Sequence, residues 1–284
     1  MDLKRSIKLI WPRYQKLILE YKVDMKPRYG YGKKPHQGLY TLIDKRRSAY
    51  EETIRQILSF KEVFYKINTA DKEQNENEPA WNNGFFPGLD VVALYTLLNT
   101  YKPAQYIEIG SGNSTKVARK SIRDNQLSTK ITSIDPFPRA TIDHLADEVI
   151  RMPLENMQDY KRITEGLKAN DMLFIDNSHR VLPNSDATVC FLELLPQLKP
   201  GVIVHIHDIY LPYDYPQDMC DRFYSEQYVL AAFLLANPDK YEVLFPGIFV
   251  SEDSSLCKQL EPLWQSPNTS NVERHGGSFW FRVH

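Results

Sequence analysis

The 284 residues contain little that would mark a secreted, membrane-spanning or strongly charged protein. Only three cysteines occur, Cys190, Cys220 and Cys257, odd in number, far apart and in no Cys-x-x-Cys pair, which excludes a disulfide framework and a zinc ribbon. The longest apolar run, Val229 to Ala236, is eight residues, whereas a membrane-spanning helix needs roughly 20. The first residues, Met-Asp-Leu-Lys-Arg-Ser-Ile-Lys, lack the unbroken apolar stretch and small-residue cleavage site of a secretory signal, so a cytoplasmic location is expected. Net charge is close to absent at −1, which argues against a nucleic-acid binder by charge. Hydrophobic residues at 42% and charged residues at 25% leave a chain able to bury a core, not a disordered or fibrous one.

Charge is unevenly placed. Residues 1–50 carry 13 Lys or Arg against four Asp or Glu, a basic segment that reads either as a docking surface for an anionic partner or as a solvated helical face whose lysine stems pack on the main body, the second being favoured. Apolar spacing predicts amphipathic helices over 3–22 and 44–66, with a Gly/Pro loop from Lys26 to His36 between them. Asp71 to Pro79 has no apolar residue and reads as a linker or mobile loop. The chain is therefore divided into an N-terminal helical segment and linker, 1–79, a candidate lid, and a main domain, 80–284. In the latter a helix from Leu89 to Tyr101 precedes strands expected at 106–109, 130–134, 148–152, 172–175 and 202–206, with helical segments between each pair. A helix over 226–236 and strands near 241–244 and 278–283 follow. Strands alternating with helices make an α/β fold, a mostly parallel sheet covered on both faces.

In such a sheet ligands bind beyond the carboxyl ends of the strands, and those positions here are polar. The first strand runs into Glu108-Ile109-Gly110-Ser111-Gly112-Asn113-Ser114-Thr115, the second into Asp135-Pro136, the fourth into Asp176-Asn177-Ser178-His179, the fifth into His205-Ile206-His207-Asp208. A strand-end Asp alone is more often a helix cap, but four such ends in one sheet point to a site. The dinucleotide fingerprint G-x-G-x-x-G lacks its third glycine, since position 115 is Thr115, which weakens a case for NAD. Asp135 still closes the second strand, where a carboxylate accepts hydrogen bonds from ribose hydroxyls. A nucleoside ligand without a pyrophosphate satisfies both observations, and S-adenosylmethionine is one.

The segment Tyr106 to Thr115 resembles motif I of the class I S-adenosylmethionine-dependent methyltransferases, with its acidic residue two before the first glycine. The segments 81–90 (Trp81 to Asp90), 174–179, 200–209 and 276–280 (Gly276-Gly277-Ser278-Phe279-Trp280) are similar to a bacterial branch of that superfamily labelled family 24; the likeness runs from about residue 27 to the end. It implies a Rossmann-like seven-stranded sheet whose last strand inserts antiparallel, with an N-terminal helical extension. By the same resemblance Gly110, Ser111, Gly112, Asn113 and Ser114 would approach the cofactor. Glu108 would orient that loop or bind the cofactor's amino group, and Asp135, Pro136 and Asp176 would complete the cofactor site. Phe137 could flank adenine, Glu155 and Asn156 could contact its amino group, and Trp81 to Gly84 could close over the cofactor or merely anchor a helix.

The activity so implied is methyl transfer, to oxygen of a small molecule or sugar unit. A sulfonium methyl is already activated, so the protein mainly aligns the nucleophile. A hydroxyl acceptor keeps its proton at neutral pH, and a histidine of ordinary pKa is the usual remover. His179 and His207 are thus the candidate bases, with Asp176 and Asp208 as companions. The same carboxylates, with Asp186, could hold magnesium, although His179, His205 and His207 mix nitrogen into the set, and no metal is assigned. His205 and His207 share one strand face, read as one core and one site histidine. The aromatic loop Leu211 to Pro216 is expected to wall the acceptor pocket, and Arg28, Tyr29, Tyr31 and His36 belong to a loop that could act as a lid. Two other functions stay open on sequence: a non-catalytic protein of the same fold that binds cofactor or partner, and an NAD-linked oxidoreductase.

Overall fold

A computed structural model describes residues 17–138 and 140–284. Seven strands, β1 (Gln105–Ile109), β2 (Lys130–Ile134), β3 (Glu148–Ile150), β4 (Met172–Ile175), β5 (Ile203–Ile206), β6 (Tyr241–Pro246) and β7 (Phe279–Val283), form one sheet in the order β3-β2-β1-β4-β5-β7-β6. The first five are mutually parallel, and β7 runs antiparallel between β5 and β6, as the resemblance implies. The central strand β4, Met172-Leu173-Phe174-Ile175, is buried at every position. Both faces of the sheet are covered, so the strand shows an apolar run and no alternation.

Five helices frame the sheet: α1 (Gln37–Asp44), α2 (Arg47–Ser59), α3 (Gly88–Tyr101), α4 (Asn113–Asp124) and α5 (Glu226–Ala236). In α3 every residue from Gly88 to Leu98 is buried, so truncating one of its leucines, Leu94 for instance, to alanine costs about 2–5 kcal/mol. The helix expected over 44–66 starts earlier and is broken: His36 Nδ1 accepts from the Leu39 amide at 3.3 Å and caps α1, and breaks at Lys45–Arg46 and Phe60 separate α1, α2 and a single turn at Lys61–Phe64. Of the helix expected over 3–22, residues 1–16 lie outside the described residues, and 17–22 form no helix. The helical crossovers expected between every strand pair are absent on one side of the sheet. Only one-turn elements at Asp143–Leu145, Leu154–Asn156 and Lys161–Thr164 join β2 to β3 and β3 to β4, because the three-residue edge strand β3 is itself partly exposed and has little apolar surface to cover.

The core does not stop at residue 80. Tyr50, Ile54 and Ile57 of α2 and Phe64 belong to the same buried cluster as α3 and the strands. The 71–79 segment is a pinned loop: a bridge between Thr69 and Trp81 closes its base, and Glu78 pairs with Arg123 of α4 at 2.7 Å.

Candidate active site

The turn after β1 is built by two glycines with different reasons. Gly110 adopts a φ of +79°, and a Cβ there would lie 1.8 Å from the Asp176 carbonyl oxygen, so only glycine lets β1 and β4 end this close together. A Cβ on Gly112 would meet nothing within 4 Å; its bare face opens on a cleft of about 540 Å3. Thr115, in the place of the absent third glycine, accepts from the Gly112 amide at 3.1 Å and donates to the Glu108 carboxylate. Tyr106 also donates to Glu108, at 3.2 Å. Burial pushes the Glu108 carboxyl up to about 7, against the pull of hydrogen bonds from Ser114, Thr115 and Tyr106. Glu108 is fully buried beneath the loop and is not among the residues lining the cleft; its hydrogen bonds tie it to the loop.

Gly110, Ser111, Gly112, Asn113, Ser114, Asp135, Pro136 and Asp176, by contrast, all line the cleft. Asp135 accepts from the Ser111 amide at 2.9 Å and the Phe137 amide at 2.7 Å, one bond to each oxygen, which leaves each oxygen a free lone pair. Phe137, 87% exposed, and Phe85, 56% exposed, are the large apolar groups open at the cleft. Trp81 is buried against Trp264 and is an anchor. The residue of the 154–156 turn on the cleft is Leu154, not Glu155 or Asn156.

A second cavity, of about 490 Å3, shares Asp176 and Phe85 with the first and reaches His179, His207, Asp208, Tyr210 and Tyr224. Here the strand ends converge. His179 lies with Nδ1 2.6 Å from Glu226 and Nε2 3.3 Å from Asp176 and 3.6 Å from Asp208, its ring stacked on Tyr224. His207 Nε2 is 3.2 Å from Asp90, and its Nδ1 is 3.7 Å from both Asp176 and Asp208. His205 stands apart in the core, stacked on Phe174 at 3.8 Å with Nε2 2.8 Å from the Ser278 hydroxyl. Asp186 is likewise outside the cluster, accepting from the Ser178 amide at 3.0 Å.

Two carboxylates of this cluster were not singled out by sequence. Asp90, in the first turn of α3, accepts from the amides of Gly277 at 2.7 Å and Ser278 at 3.0 Å while facing His207. Glu226 opens α5 and is fully buried. A lone acid inside an otherwise apolar helix was the available signal, because an unpaired buried charge is costly.

These acids decide the protonation of the site. Burial lowers both imidazoles, but Glu226 and Asp176 raise His179 to about 10, and Asp208 and Asp176, with bonds to Asp176 and Asp90, hold His207 well above its ordinary value. Burial pushes the Asp176 carboxyl up, yet the two imidazoliums pull it well below the usual carboxylate range. His205 falls well below 6.5 through burial and the nearby His207 charge. Both shifts favour the protonated imidazole, in which neither ring nitrogen has a lone pair to offer as a base.

A metal would need the Asp176 and Asp208 oxygens, and each of these faces an imidazolium. Among the described residues no group of three or more His, Cys, Asp or Glu side chains is arranged to hold a metal ion. Nor is any helix among them long and apolar enough to cross a membrane.

Residues 107–209 match the family model described as a methyltransferase domain, and the seven-stranded sheet with β7 antiparallel is the one the resemblance implies. Over those residues the chain is similar to a methyltransferase domain. The matched segment holds the glycine turn, Asp135, Asp176, His179, His207 and Asp208, while Asp90 and Glu226 lie outside it. No curated protein matches the chain. Among solved structures, a methyltransferase of Podospora anserina bound to S-adenosylhomocysteine is 15% identical, with 86% of this chain and 96% of that one covered and a TM-score of 0.43. A Thermobifida fusca protein classed as a methyltransferase is 16% identical over 68% and 78%, at 0.42. A branched-chain polyamine synthase of Thermus thermophilus is 9% identical over 73% and 60%, at 0.40. These are distant likenesses.

Proposed function

We propose that this methyltransferase domain acts on a hydroxyl of a small molecule or sugar unit seated in the cavity of Asp208 and Tyr210. The observation that carries this reading is that the two cavities share Asp176 and Phe85 in their linings, so a ligand in one lies beside a ligand in the other. The glycine-bared cleft suits the cofactor, with the 110–114 loop along it, Asp135 offering its free lone pairs to ribose hydroxyls, and Phe137 open for a base to lie on. S-adenosylmethionine supplies an electrophilic methyl when bound there.

The chain's own task is then alignment and proton removal. Asp176 lines both cavities and is the more closely held by the imidazoles. Asp208 lines the acceptor cavity alone and is the group assigned to accept the acceptor hydroxyl's hydrogen bond and its proton as the new O–C bond forms and the S–C bond breaks. His179 and His207 hold both carboxylates in place, which counts because a misplaced nucleophile forfeits much of the rate gained by positioning.

The test is calorimetric titration with S-adenosylhomocysteine and separately with NAD, followed by S-adenosylmethionine with a panel of hydroxylated acceptors and mass detection of methylated product. Saturable binding of S-adenosylhomocysteine alone and turnover lost in Asp208→Asn support the reading. Failure to bind it, or turnover that survives Asp208→Asn, overturns it. Binding without turnover across the panel identifies a non-catalytic protein of this fold.

A further inference from the structure

Tyr210, in the lining of the acceptor cavity, also lines a third cavity, of about 320 Å3, with Tyr31, Lys33, Tyr213, Ile248 and Glu252. Its walls come from the helix Gly247–Glu252 and from two loops that sequence treated separately, the basic loop near residue 30 and the aromatic loop after β5, which are locked together. Asp214 accepts from the amides of Arg28 and Tyr29 at 2.5 and 3.1 Å, its own amide donates to the Tyr29 carbonyl at 3.2 Å, and the Tyr31 hydroxyl donates to the Asp214 carbonyl at 3.1 Å. The His36 amide donates to the Pro212 carbonyl at 3.0 Å. Gly30 is required at the crossing, with φ +78° and the Tyr213 Cβ 2.9 Å from where its own would lie. These bonds hold the 28–36 loop as one wall of the cavity.

We infer that this third cavity is a second acceptor subsite that binds a neutral, hydroxylated ring, so that the acceptor is a saccharide of at least two units with the methylated one beside Asp208; this rests on the function proposed above. Three tyrosines around one small cavity give flat apolar faces and hydroxyls together, the pairing that suits the C–H face and the hydroxyl edge of a sugar ring. Lys33 and Glu252 put one charge of each sign at the lining, which favours a neutral ligand over a phosphate or an ammonium group. The volume lies at the small end of ligand sites, the size for one ring. The shared Tyr210 sets the two rings in adjacent cavities.

The experiment incubates the full chain and radiolabelled S-adenosylmethionine with arrayed neutral mono-, di- and trisaccharides, with S-adenosylhomocysteine binding measured in parallel on every variant. Transfer to di- or trisaccharides at least tenfold above the matching monosaccharides is expected. Tyr31→Ala should lower transfer to di- and trisaccharides to the monosaccharide level, and Tyr31→Phe, which keeps the ring and drops the bond to Asp214, should retain the preference. Equal transfer to mono- and disaccharides, or a preference untouched by Tyr31→Ala, overturns the subsite while leaving the methyltransferase reading intact. Transfer to no arrayed saccharide with normal cofactor binding overturns the saccharide assignment, and loss of cofactor binding in the unaltered chain overturns the reading beneath it.

Discussion

Glu226→Gln is the sharpest test of the charge arrangement. The change is isosteric, so it opens no cavity, and it removes the negative charge 2.6 Å from His179 Nδ1 at a position with no exposed surface. Breaking a buried pair typically costs 3–5 kcal/mol; His179 retains Asp176 and Asp208, so the low end, about 3 kcal/mol, applies. At 1.36 kcal/mol per pKa unit that is a fall of about 2 units for His179, from about 10 toward about 8. The folded value stands above the unfolded 6.5, so the stabilisation is fully present below pH 6.5 and is lost as pH rises through 10. The gap between wild type and variant in urea unfolding should therefore be about 3 kcal/mol at pH 6.5 and shrink to about 1 kcal/mol by pH 9.5. Nitrogen-15 shifts of the imidazole, followed over the same range, give the two titrations directly. A gap independent of pH, or a His179 ring already neutral at pH 7 in the wild type, would refute the reasoning.

Gly110→Ala and Gly112→Ala should part company. The first puts a methyl 1.8 Å from a carbonyl oxygen at positive φ and should cost several kcal/mol of stability in thermal unfolding, whereas the second should fold normally and lose at least tenfold in S-adenosylhomocysteine affinity by calorimetry. Asp135→Ala removes the acceptor of the Ser111 and Phe137 amides as well as the expected ribose contacts, and should weaken S-adenosylhomocysteine by roughly 2–4 kcal/mol; unchanged affinity would take Asp135 out of the cofactor site. Thr115→Val cuts the link from Glu108 to Gly112 and should destabilise by about 1–3 kcal/mol, the cost of leaving a buried group unsatisfied. Turnover should show no inflection near pH 6.5, since His179 and His207 stay protonated there; a rise with pH through that value would restore a histidine base.

The legible parts of this fold are those set by local pattern. β2, β4 and α5 fall where apolar runs and their polar bounds place them, because a buried strand or helix must write its length in side chains. The strand-end residues Asp135, Asp176, His179, His207 and Asp208 could be marked from topology alone. The rest depends on pairings distant in sequence. Asp90 and Glu226 look like ordinary first-turn helix acids until β7 and the β4 end are brought against them. Their presence shifts both imidazoles toward the protonated form, which an isolated histidine does not suggest. The union of the 28–36 and 210–216 loops is likewise invisible locally, since the Asp214 bonds span about 185 residues.

The clasp of Asp90 on the Gly277 and Ser278 amides has a consequence for how this protein is made. The strand those amides lead into is not an edge but the filler of a slot between β5 and β6, and it is made after the other six strands. Until residues 277–283 have emerged, Asp90 lacks the amides that hold it against His207, so the acceptor pocket stays unfinished until that strand has been made.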